Sequence, residues 1–132
     1  MGVFDAFKKK NELTLSQQKE NRMWDLWVEG KSVSPYTELM TYESEVNNGG
    51  HLQYFDNTAN CHDLEAAVNV LFSVLPEILR ENLRRGYEAF CAQEEIDDDV
   101  IDDLFDECDD VFWENEQLLM DILQEYAESL TL

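Results

Sequence analysis

The chain has 132 residues, with 30 Asp plus Glu against 9 Lys plus Arg, a formal net charge of -21 and a pI near 4.1. Its length fits one domain able to bury a core unaided, and 44% hydrophobic residues with 15 aromatics are too many for a disordered acidic chain. The charge argues against direct binding to nucleic acid or to an anionic membrane, since phosphate contacts need Lys and Arg.

The charge is unevenly placed. Residues 1–85 hold 13 acidic and 9 basic side chains, whereas residues 86–132 hold 17 acidic and no basic ones. The start, Met1 to Lys10, lacks an apolar stretch of signal-peptide length and no run approaches a membrane span, so a cytoplasmic location is expected. Cys61, Cys91 and Cys108 form no disulfide framework and read as free thiols in a reducing compartment.

Helical patterns dominate from the N-terminus onward, with residues 1–13 expected to be loosely ordered. In Leu15 to Glu29 the apolar Met23, Trp24, Leu26, Trp27 and Val28 form a thick stripe, and Gly30 is a stop. Ser34-Pro35 reads as an N-cap followed by proline at the first helical position. Tyr36, Leu39, Met40, Tyr42 and Val46 carry that helix to Asn47-Asn48-Gly49-Gly50, which suit a C-terminal cap, and His51 to Asn57 is a further turn or two. Asn60 or Asp63 caps the next helix, Pro76 ends or kinks it, and Glu77 to Cys91 is another.

From Asp97 onward the apolar positions keep a helical rhythm to Leu130. One helix there would be about 50 Å long, so two are expected, divided near Asp109-Asp110. The sum is an all-α, compact single-domain bundle of about five to seven helices over residues 1–132, with residues 94–132 as an acidic C-terminal half. Trp24, Trp27 and Trp113 are expected in the core.

The densest charge lies between Glu94 and Asp110, where 11 of 17 residues are acidic: Glu94, Glu95, Asp97, Asp98, Asp99, Asp102, Asp103, Asp106, Glu107, Asp109 and Asp110. If helical, that is about 2.3 Å of axis per charge, close to the ~1.7 Å of duplex DNA. Asp99, Asp102, Asp103, Asp106 and Asp110 recur at three or four residues, opposite a stripe of Ile101, Leu104, Phe105 and Cys108. The competing reading is an ordinary solvated face. Specific calcium binding is disfavoured, because Asp97 to Asp102 lacks the glycine and the third alternate ligand of an EF-hand loop.

Glu43 to Asn57 is the other unusual stretch. Glu45, Asn48, Gly49, Gly50, Gln53, Tyr54, Phe55 and Asn57 resemble the signature of a family of small helical bacterial proteins, a domain of unknown function that includes a neisserial DNA-mimic protein. This chain departs from it with His51-Leu52, where an aromatic residue usually follows the glycines. Leu104 to Trp113 resembles a second element of the family, and the likeness covers most of residues 35–130. For the named member the resemblance implies a monomer or homodimer that occupies the DNA-binding surface of a transcription factor.

Read from the residues, the same motif is either scaffold or pocket. As scaffold, the glycines permit a chain reversal, Asn48, Gln53 and Asn57 satisfy backbone groups there, and Tyr54 and Phe55 are core. As pocket, Glu45, Asn48, His51, Gln53 and Tyr54 bind a ligand or act as an acid-base pair. Cys61-His62 has no paired spacing for zinc, and no phosphate loop or nucleophile elbow is present, so neither a metal nor a cofactor is expected. Arg80, Arg84 and Arg85 read as contacts to the acidic half or across a dimer.

The leading functional reading is a non-enzymatic acidic protein that occludes the basic surface of a DNA-binding protein such as a transcription regulator. Two others compete with it: an immunity protein or inhibitor of a basic toxin such as a nuclease, and a small-ligand-binding protein or enzyme centred on the Asn-Gly-Gly motif.

Overall fold

The structure is a computed structural model that describes residues 13–61 and 63–132, without the side chain of Cys61. The described residues form five α-helices, one 3-10 turn and no strands, as the periodicity predicts. The expectation for residues 1–12 lies outside them.

Helix α1, Leu15–Val28, opens on a reciprocal cap. The Gln17 amide N–H donates to the Thr14 hydroxyl at 3.1 Å and the Thr14 amide to the Gln17 side chain at 2.8 Å. At its far end Gly30 takes a left-handed φ of 73°, and Lys31 N–H reaches back to the Leu26 carbonyl at 2.8 Å, closing the last turn.

Helix α2, Tyr36–Cys61, is two arms across a break. Ser34 does not cap it as expected: its hydroxyl donates to the Glu38 carboxylate at 2.9 Å. The predicted stop falls at Gly49-Gly50, where both residues leave helical geometry, and the second helical piece, expected over His51 to Asn57, runs on through residue 61. Gly50 carries the kink, with φ 80° and ψ -176°, a backbone region essentially confined to glycine. Gly49, at φ -157°, is extended and unstrained.

Asp63 caps α3, Leu64–Val74, by accepting from the Ala66 N–H at 3.1 Å, and Pro76 separates α3 from α4, Glu77–Cys91. A 3-10 turn, Gln93–Glu95, leads to α5, Asp98–Glu128. The expected division near Asp109-Asp110 does not occur. Residues 98–128 contain no glycine or proline, and the apolar stripe stays in phase throughout, so 31 residues run unbroken over about 46 Å.

That helix is the spine of the bundle, packed by α1, α2 and α4. Ile101, Phe105, Cys108, Phe112, Leu119, Leu123 and Ala127 form its buried face. Against Cys108, α4 comes close at Gly86, where a Cβ would sit 3.3 Å from the Phe55 ring and 3.6 Å from the Cys108 sulfur. The buried Asn82 amide donates to the Cys108 carbonyl at 2.8 Å, satisfying a polar group that the core would otherwise penalise. Toward the C-terminus Tyr126 stacks on Tyr36 at 3.8 Å and Lys19 donates to the Glu128 carbonyl at 2.9 Å. Trp24 and Trp27 pack against the core, but Trp113 is 49% exposed, contrary to expectation.

Candidate functional site

The Asn-Gly-Gly kink places His51 at the start of the second arm of α2, fully buried and facing α5. There the Asp109 Oδ1 accepts twice, from the His51 backbone N–H at 2.8 Å and from Nδ1 at 2.6 Å. A carboxylate can only accept, so Nδ1 carries the proton in this arrangement. The opposite nitrogen, Nε2, lies 2.7 Å from the Tyr42 hydroxyl. Burial, then the neighbouring Tyr54, pushes the Tyr42 pKa well above its ordinary value, so the phenol keeps its proton and can donate to Nε2. Tyr42, His51, Tyr54, Phe55 and Phe112 are close enough for aromatic contact around this line.

The other motif residues divide. Glu45 Oε2 accepts from Gln53 at 3.0 Å and from Asn57 at 2.8 Å, a tie between the two arms through side chains rather than to backbone groups as expected. Asn48 and Gly49 are exposed, Gly50 is buried, and Tyr54 and Phe55 are core. The structure does not assemble the sequence-predicted pocket: His51 is engaged with Tyr42 and Asp109, Glu45 with Gln53 and Asn57, and Tyr54 lines a separate cavity. Nor is Cys108 a ready nucleophile, since burial raises its thiol to about 11. Cys61-His62 lies outside the described side chains, and among the described residues no cluster could hold a metal ion.

Beside the kink, Asn47 joins two carboxylates. Its amide nitrogen donates to Glu43 Oε1 at 2.7 Å and to Glu116 Oε2 at 2.6 Å, while its oxygen accepts from Trp113 at 3.2 Å. Burial first, then the adjacent Glu116, raises the Glu43 pKa from 4.5 to about 7. Because the folded state holds this proton more tightly than the unfolded chain, its stabilising contribution is full below pH 4.5 and is lost as pH rises through about 7. Glu43 is partly exposed to water, so the effect is discounted to about 1 kcal/mol. Glu43→Gln is expected to raise stability by that amount above pH 7 and to flatten the fall across the window. Urea unfolding at a series of pH values measures it, and parallel curves for the two proteins would contradict the assignment.

The acidic segment is not one helix. Glu94 and Glu95 lie in the 3-10 turn and Asp97 precedes α5, with Asp98 opening it. Ten of the eleven predicted carboxylates are exposed; Asp109 leaves the row, its side chain 15% exposed and turned to His51. Glu107 pairs with Arg85 of α4. Arg80 and Arg84 instead lie near Glu81 of their own helix, at 3.9 and 3.4 Å, so only Arg85 makes the expected contact to the acidic half. On the solvent face of α5, Asp99, Asp102, Asp103, Asp106 and Asp110 align at helical spacing, and Trp113, Glu114, Gln117 and Asp121 extend the same stripe. From 99 to 121 the stripe covers about 33 Å of axis. Its continuation past residue 110 was hidden by the expected break and by the expectation that Trp113 is core.

These features define a small all-α bundle organised about a kinked helix and a long acidic one. The chain belongs to the DMP19-like protein family, whose family model matches residues 37–130. No curated protein and no solved structure matches it.

Proposed function

We propose that the protein is a DNA mimic that occupies the basic surface of a DNA-binding protein, such as a transcription regulator, without itself catalysing a reaction. The exposed stripe on α5 carries this reading. Asp99, Asp102, Asp103, Asp106 and Asp110 present carboxylate oxygens to one side of an unbroken helix, where they can replace phosphate oxygens as acceptors for Arg and Lys. Glu94, Glu95, Asp97 and Asp98 lengthen the charged surface at one end, and Trp113 offers an aromatic face to a partner's cations at the other. The family's DNA-mimic member supports the same reading. No helix among the described residues is long and apolar enough to cross a membrane, which suits a partner in solution.

Capture of partners from the source cell, followed by competition with duplex DNA at increasing salt, tests the proposal. A basic DNA-binding protein is expected, released by DNA and by salt. The triple variant Asp99→Lys, Asp103→Lys, Asp106→Lys is expected to bind it at least about 100-fold more weakly, at roughly 1–2 kcal/mol per reversal. Unchanged affinity in that variant, or capture of proteins that DNA does not displace, would sink the reading. A captured basic toxin inhibited by the protein would replace it with an immunity role.

A further inference from the structure

A cavity of about 250 Å³ lies between the two arms of α2 and the start of α3. Thr37, Glu38, Thr41, Tyr54, Thr58 and Asp63 supply its polar wall, and three small apolar side chains of α3 complete the lining. None of these residues belongs to α5 or to the Tyr42–His51–Asp109 line.

The wall is incompletely satisfied. Thr58 is 4% exposed, and its hydroxyl lies beside the Tyr54 phenol without completing a well-formed hydrogen bond; the buried Oε2 of Glu38 has no partner among the described residues. The rest of the wall is anchored. Glu38 Oε1 accepts from Ser34 at 2.9 Å, Thr41 accepts from Trp27 at 3.0 Å, Thr37 bonds Ser32 at 2.7 Å, and Asp63 Oδ1 caps α3. Among the described residues the lining thus holds two carboxylates and four hydroxyls, and no Lys, Arg or His.

We propose that this cavity binds a small free organic cation, a primary ammonium or a guanidinium on a short aliphatic stem. An anion would meet Glu38 and Asp63 with no countercharge among the described residues, and an apolar guest would leave Glu38 Oε2 unpartnered and Thr58 only weakly bonded, which a buried site penalises. An N–H cation satisfies both, by small rotations of the Glu38 and Thr58 side chains, while its stem lies on the apolar side of α3. At ~30 Å³ per water-sized unit the space takes about eight non-hydrogen atoms.

The test is an amide NMR titration of the intact protein with n-butylammonium at constant ionic strength, with 1-butanol and butyrate as neutral and anionic controls. Saturable shifts are expected at the amides of Thr37, Thr58 and Ala67 with the ammonium alone. Glu38→Gln is expected to weaken that binding roughly tenfold, and Thr58→Val to weaken it severalfold, both with native spectra. Equal shifts from 1-butanol, equal affinity in Glu38→Gln, or shifts confined to α5 would each overturn the proposal, the last by revealing only counterions on the acidic stripe. Because the cavity and stripe share no residue, Glu38→Gln leaves capture of a basic protein unchanged, so the two readings fail independently.

Discussion

Alanine at position 109 is expected to lower the free energy of unfolding by about 2–4 kcal/mol, the largest effect of any single acidic residue in the C-terminal half. The substitution removes the acceptor of two hydrogen bonds from one buried residue, leaving the His51 backbone N–H and Nδ1 without a partner. Asp109→Asn keeps one oxygen at that place and is expected to recover about half of the loss. Asp102→Ala, on the exposed face of the same helix, provides the comparison: it loses no partner and relieves like-charge repulsion, so its effect should stay within about 0.5 kcal/mol. Denaturant unfolding followed by circular dichroism measures all three. Equal values for Asp109→Ala and Asp102→Ala would show that the contact to His51 contributes nothing.

The second large effect is expected at Gly50. Alanine there must adopt φ near 80° with ψ near 180°, and its Cβ would run into the Asp109 carboxylate, whose Cγ is 3.1 Å from the Cβ position. Backbone strain of roughly 1–3 kcal/mol and the displaced carboxylate together predict a loss of about 3 kcal/mol. Gly49 separates the two causes. Its backbone is available to any residue, but its Cβ would crowd Gln53, whose own Cβ is 2.9 Å away, so Gly49→Ala must shift Gln53 and loosen its tie to Glu45, at about 1–2 kcal/mol without backbone strain. In the double variant Gly50→Ala, Asp109→Ala the collision partner is gone, and the losses should fall short of additive by about 1 kcal/mol. Strict additivity would mean that the kink and Asp109 are energetically independent.

Local signals placed most of the bundle. Gly30, Asp63 and Pro76 bound helices where their conformational and capping preferences require, and the apolar rhythm after Asp97 located the buried face of α5. The same reading misplaced Asp109, because an acidic pair in a long pattern looks like a stop. Two signals pointed the other way: no glycine or proline lies nearby, and position 109 falls four residues after Phe105 and three before Phe112, on the flank of the apolar stripe. The partner of Asp109 was beyond reach, since His51 is 58 residues away and enters only through the Gly50 kink. The same separation hid Glu116 from Glu43 and Asn47. The cavity is not legible in the sequence because its wall comes from three helical segments, none unusual by itself.

The unbroken course of α5 bears on how fast a partner could engage it. One side of the helix is held by α1, α2 and α4, so the backbone beneath Asp99 to Asp121 is already in place before any encounter. Only side-chain rotamers remain to be fixed on association, which limits the ordering entropy that docking must overcome. A preorganised row of one charge sign also guides diffusion, so its signature is an association rate that falls steeply with ionic strength while dissociation changes little.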